Sequence, residues 1–286
     1  MPLAISETVS TRINLVTVGA VGVFAFGLEA VVHEVVGHAV VCSATGGKVV
    51  LISSTAMQTA SASRVVPAAG PVANILFGVV ALVVLLRVYG RGTGDRGARL
   101  TVGALFLWFF CFANLFLASG YIFYSGLINF GDFAVVIDGL RPAWLYRIAL
   151  VVVGGFGYRY CIRLAASSFA AIGPVSISDA RRIVYAGCAA GGGLFLLASV
   201  FNPISPNLIL YDGLSGAIGL TLGFFLVLTD LRQSAALVST DSPIVAATGA
   251  AFETSGSIPF SMPLTISSAI FVVGFIALMG RGIRIP

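Results

Sequence analysis

Charge is what this sequence has least of. Asp, Glu, Lys and Arg make up 9% of its 286 residues, against about a quarter in an ordinary soluble domain, while apolar residues make up 58%. A mean hydropathy of +1.03 excludes a soluble globular protein and implies an all-α polytopic membrane protein. Lysine occurs once, at Lys48, and the other fifteen basic residues are arginines gathered in short loops. The net charge of +5 therefore reads as a topology signal, and no nucleic-acid partner is expected. The four cysteines, Cys42, Cys111, Cys161 and Cys188, are scattered with no CxxC, which argues against a disulfide framework and a thiolate zinc site. No basic stretch precedes the first apolar run, so a cleavable signal peptide is not expected.

A spanning helix needs about 20 apolar residues. By that rule six or seven spans are expected, at about 13–42, 67–87, 100–122, 143–160, 183–202, 207–229 and 264–280. Between the first two lies a polar stretch, Thr45–Arg64, with Gly46-Gly47 and a β-prone run over Lys48–Ser53; it reads as a small β-hairpin or re-entrant segment. Asp230–Pro263, rich in Ser, Thr and Pro, reads as an extramembrane loop, and Tyr211-Asp212-Gly213 interrupts the sixth span without an assigned role. Arg87, Arg91, Arg96 and Arg99 frame one loop and Arg159, Arg163, Arg181 and Arg182 another. Arg232 follows the sixth span and Arg12 precedes the first. With seven spans all of these fall on one side, which predicts a cytoplasmic N-terminus.

Histidine is nearly absent, yet its two copies fall together as His33-Glu34-Val35-Val36-Gly37-His38, inside the first apolar span. Zinc proteases hold metal with two helical histidines and activate water with the glutamate after the first. Their histidines are four apart, about 40° around the helix, whereas five apart gives about 140°. A π-turn absorbs the extra residue and restores the facing geometry, and Gly37 eases the distortion. We favour that arrangement; alternatively Glu34 and His38 face each other and His33 has a different part. Glu29 lies one turn before His33, so four ionisable groups share one span, and such groups usually mark function. The plainer alternative is a proton relay or a structural polar cluster.

Three blocks, in order, resemble the site-2 protease family of intramembrane zinc metalloproteases. HEVVGHAVVCSATGGKVVLIS (33–53) is similar to that family's metal-binding helix running into a glycine-marked hairpin. Ala69-Gly70-Pro71-Val72-Ala73-Asn74 is similar to its AGPxAN, with Pro71 suited to a first helical turn and Gly70 to close backbone approach. Asn114–Gly139 corresponds to the region where the family supplies an aspartate ligand. The resemblance implies a metalloendopeptidase holding Zn2+ by His33, His38 and an aspartate, with Glu34 as general base. The preferred aspartate is Asp132, in Asn129-Phe130-Gly131-Asp132-Phe133; the alternative is Asp138, in Ile137-Asp138-Gly139. Asn74 and Asn114 are expected to position substrate, although Asn74 suits orienting a ligand or bonding another helix equally well. The expected partners are the lipid bilayer and a membrane-protein or peptide substrate, unwound and pairing with Lys48–Ser53. A bacterial inner membrane is the expected location. Residues 1–140 thus form the expected metal-binding core, and 141–286 add spans without an assigned function. The motif departs from the family's by one residue, HExxxH for HExxH, a spacing that serves zinc in dipeptidyl peptidase III.

Three other readings use the same residues. A metal-dependent membrane enzyme acting on lipid keeps the ligands and changes the substrate. A proton- or ion-translocating protein uses His33, Glu34 and His38 as a relay and holds no tight zinc. A catalytically inactive scaffold is indifferent to Glu34.

Overall fold

Among the described residues, seven apolar runs form helices long and apolar enough to cross a bilayer, making the chain a multi-pass helical membrane protein. The computed structural model describes residues 13–60, 63–90, 100–173, 176–241 and 257–286, without the side chains of 233–241. Helix α1 (Leu15–Ala44) begins where Asn14 Oδ1 accepts the Thr17 N–H at 3.0 Å. It is followed by strands β1 (Val49–Ile52) and β2 (Met57–Thr59), then α2 (Val65–Val88) and α3 (Val102–Ile128). A short helix α4 (Asp132–Ile137) leads to α5 (Ala143–Ile172) and α6 (Ile177–Val200). Helix α7 (Ser215–Asp241) is entered through a π-turn at Ile209–Leu214, and α8 (Met262–Gly280) leads to β3 (Ile283–Arg284).

Helix α3 is the hub. It packs against α1, α2, α5 and α7, and its Trp108, Phe109, Phe112 and Phe116 are fully buried with Phe26 of α1 and Phe224 of α7. Trp108 satisfies its ring N–H by donating to the Ala165 carbonyl of α5 at 3.1 Å. These large rings fix the spacing of α1, α3, α5 and α7.

Several boundaries differ from the sequence reading. The fourth span runs to Ile172 rather than stopping near residue 160. Arg159 had the look of a loop residue, but it stays helical and pairs with Asp230 of α7 at 2.6 Å. Helix α7 continues through Asp241, so Asp230–Pro263 is not all loop; residues 242–256 lie outside the described part. Arg12, Arg91, Arg96 and Arg99, used above for orientation, also lie outside it. Pro71 is not in a first turn. Helix α2 starts at Val65, so Pro67 takes that position and Pro71 sits inside, leaving the Pro67 carbonyl without its helical N–H.

The expected hairpin is present, but as part of a three-stranded sheet of order β2-β1-β3. Both pairings are antiparallel, with Ile52 opposite Met57 on one side and Ile283 on the other. Strand β1 is therefore central, which corrects the expectation that Lys48–Ser53 takes a substrate strand: both its edges are filled. The turn is fastened by the C-terminal half of the chain. Ser54 N–H donates to the Met279 carbonyl at 2.7 Å, and the Asn202 amide donates to Ser53 Oγ at 3.0 Å and to Thr55 Oγ1 at 2.5 Å.

Candidate metal centre

Within α1 the backbone from Val32 to Ala39 is π-helical. A π-turn links residue i to i+5 as an α-helix links i to i+4, so His33 and His38 come onto one face. Their Nε2 atoms lie 3.2 Å apart, with the rings nearly perpendicular. The turn is accommodated because Gly37 meets Gly70 of α2: a Cβ on Gly37 would fall 2.5 Å from Gly70 Cα.

Asp132 completes the group. Helix α3 ends at Asn129, in the left-handed region at φ 58°, and Gly131 follows at φ 87°. These two residues reverse the chain so that Asp132 opens α4 facing α1. Its Oδ2 lies 3.2 Å from His33 Nε2 and 3.4 Å from His38 Nε2. Asp138 is brought elsewhere: it caps the far end of α4, exposed, at the outer part of the cavity.

Hydrogen bonds behind the rings decide which nitrogens are available. The His38 Nδ1 lies 2.8 Å from the Val66 carbonyl, which only accepts, so Nδ1 carries the proton. The Asn74 amide nitrogen donates to Glu29 Oε1 and to Asn114 Oδ1, both at 2.9 Å. Its oxygen is thereby left to accept from His33 Nδ1 at 2.6 Å. In the neutral rings both Nε2 atoms then bear lone pairs. They converge on Asp132 Oδ2, a buried oxygen with no hydrogen-bond donor among the described residues. Three acceptors with no hydrogen between them repel one another unless a cation sits among them, so the buried group can hold a metal ion.

Asn74 and Asn114 are both fully buried and are not among the residues lining the cavity; Asn74 bonds the His33 ring from behind and Asn114 bonds Asn74. The cavity, about 520 Å³, is walled by His33, His38, Asp132 and Glu34 together with Thr55 and Met57 of the hairpin, among others. Glu34 is only 4% exposed and its Oε2 has no hydrogen-bond partner among the described residues. One residue of this wall was not assigned from the sequence: Asp212, in the π-turn that begins the sixth span, accepts a hydrogen bond from Tyr121. The signal was available, since Asp212 is an ionisable residue inside an apolar run.

The closeness of α2 gives a direct test of the geometry. A Cβ at Gly70 would fall 2.5 Å from His38 Nε2 and 2.9 Å from His33 Cε1. Gly70→Ala is expected to displace the rings and abolish stoichiometric metal binding, with the elution profile in detergent unchanged. Metal content by mass spectrometry checks this, and normal loading of the variant would contradict the geometry.

Comparison with known proteins adds no relative: no family model matches the chain, and no curated protein and no solved structure matches it.

Proposed function

We propose that the protein is a zinc-dependent intramembrane endopeptidase of the kind it resembles, the site-2 proteases. The supporting observation is the convergence of His33 Nε2, His38 Nε2 and Asp132 Oδ2 at 3.2, 3.2 and 3.4 Å. Ligands about 2.0–2.1 Å from a tetrahedral ion lie about 3.3 Å from one another. Two imidazoles and a carboxylate are a donor set typical of catalytic zinc, with a fourth position left open. When bound, zinc supplies a Lewis acid that polarises a carbonyl and makes water acidic enough to attack it near neutral pH.

The chain's own residues supply the remainder. Glu34 takes the proton that the attacking water loses and gives it to the departing amine nitrogen. Its unpaired Oε2 leaves lone pairs available for that task. Asn74 and the Val66 carbonyl hold the two imidazoles in the tautomer that keeps Nε2 unprotonated. A peptide unwound from a membrane helix needs new partners for its backbone. Strand β2 forms the outer edge of the sheet, and Thr55, Ala56 and Met57 line the cavity, so an extended substrate adds there. The arginine asymmetry supports a cytoplasmic N-terminus, and we place the protein in a bacterial inner membrane.

The test is cleavage of a transmembrane peptide by the full chain in liposomes. Cleavage stopped by a chelator and restored by zinc is the expected result. Proton or ion flux without cleavage would favour the relay reading, and lipid hydrolysis the other enzyme.

A further inference from the structure

The metal ligands all come from α1 and α4, yet a tyrosine on α3 touches the surroundings of two of them. The Tyr121 ring stands edge-on to the His33 ring, with centroids 5.6 Å apart. It also lies under the turn into Asp132: a Cβ on Gly131 would fall 3.0 Å from Tyr121 Cε1. Its hydroxyl donates to Asp212 Oδ1, on the sixth span. Asp212 is 6% exposed, and a carboxylate in an apolar span is costly unless it is held for a purpose.

The turn that carries Asp212 is itself fixed. Gly213 abuts Ser199 of α6, where an added Cβ would fall 2.3 Å from the hydroxyl oxygen, and Ser199 donates to the Leu196 carbonyl at 2.7 Å. A second tyrosine, Tyr124, donates to the Tyr211 carbonyl at 3.0 Å but lines none of the cavity that contains His33 and Asp132. Thus two hydrogen bonds join α3 to the same π-turn, and only one of them runs through a ring in contact with the ligands.

We propose that Tyr121 is a positioning residue of the metal centre, braced by Asp212, so that the sixth span sets the placement of His33 against Asp132. The proposal rests on the metal-binding reading and extends it to the half of the chain without an assigned function. The brace acts through a hydrogen bond: it needs the Tyr121 hydroxyl and an acceptor at 212, not a charge there. Loss of a contact behind a ligand typically weakens metal binding about 10- to 100-fold.

The experiment uses the full chain in detergent, loaded with Co2+, reading affinity by chelator competition and ligand geometry by the visible absorption bands. Tyr121→Phe and Asp212→Ala are expected to weaken binding by about tenfold or more and to change the cobalt bands. Asp212→Asn keeps an acceptor oxygen and is expected to restore the wild-type affinity and bands. Tyr124→Phe removes the neighbouring bond to the same turn and is expected to bind as wild type. The brace is overturned if Tyr121→Phe binds cobalt as the wild type does, or if Asp212→Asn is as weak as Asp212→Ala. It is also overturned if Tyr124→Phe weakens binding equally, which would mark general loosening of α3 from α7. Wild-type protein that takes up no cobalt overturns the metal centre itself, and the brace with it.

Discussion

Glu34→Gln is expected to stop peptide cleavage while leaving the metal in place. The amide matches the carboxylate in size, so the packing around a side chain only 4% exposed is preserved. It cannot accept a proton from water, and removing a general base costs about 10²- to 10⁴-fold in rate. Glu34 is not one of the three residues whose atoms converge, so ion content has no reason to change. Cleavage of a transmembrane peptide in liposomes, measured beside zinc content, separates the two effects. A fully active variant would remove Glu34 from the mechanism, and an inactive variant that had also lost its zinc would make Glu34 part of the binding site instead.

The second large effect is on the ion. His33→Ala, His38→Ala and Asp132→Ala each remove one of three converging atoms, and each is expected to weaken zinc binding by more than about 100-fold, beyond the usual cost of a change behind a ligand. Asp138→Ala is the matched control. It removes a carboxylate from the same cavity and the same short helix, but from the end away from the histidines. Zinc content of the four purified variants decides the matter. Loss in Asp138→Ala with retention in Asp132→Ala would mean that α4 turns the other way in the metal-bound protein.

Much of this centre was legible from particular residues. The pair of histidines with Glu34 stands out in a chain otherwise without histidine, and their five-residue spacing calls for a π-turn where one is found. Gly37 pointed to the same place, although its chief role is the contact with Gly70, which depends on a second helix. Asp132 was preferred over Asp138 on resemblance alone, because each adjoins a glycine and spacing does not separate them. The choice is made by the positive φ of Asn129 and Gly131, a backbone property. Asn74 was legible as a polar residue in an apolar helix, but its direction was not: whether it meets substrate or a ligand depends on what α1 and α3 place beside it. Pro71 misled because Pro67 had the better claim to the first turn. Asp212 was visible as an interruption and went unused, since nothing local connects the sixth span to the first.

The third strand has a consequence in time. The hairpin wall of the cavity, Thr55–Met57, is backed by β1, whose second edge is closed by Ile283–Arg284, and the turn is held by the Met279 carbonyl. Such distant pairings form late, because the intervening chain must be ordered first. The histidines meet within a single helix, Asp132 arrives with the third span and the β1–β2 hairpin is local, whereas the third strand waits until α8 has crossed the membrane. A chain still being inserted therefore carries His33, His38 and Asp132 together beside an unfinished sheet, and the wall of the cavity is completed only at the final step of assembly.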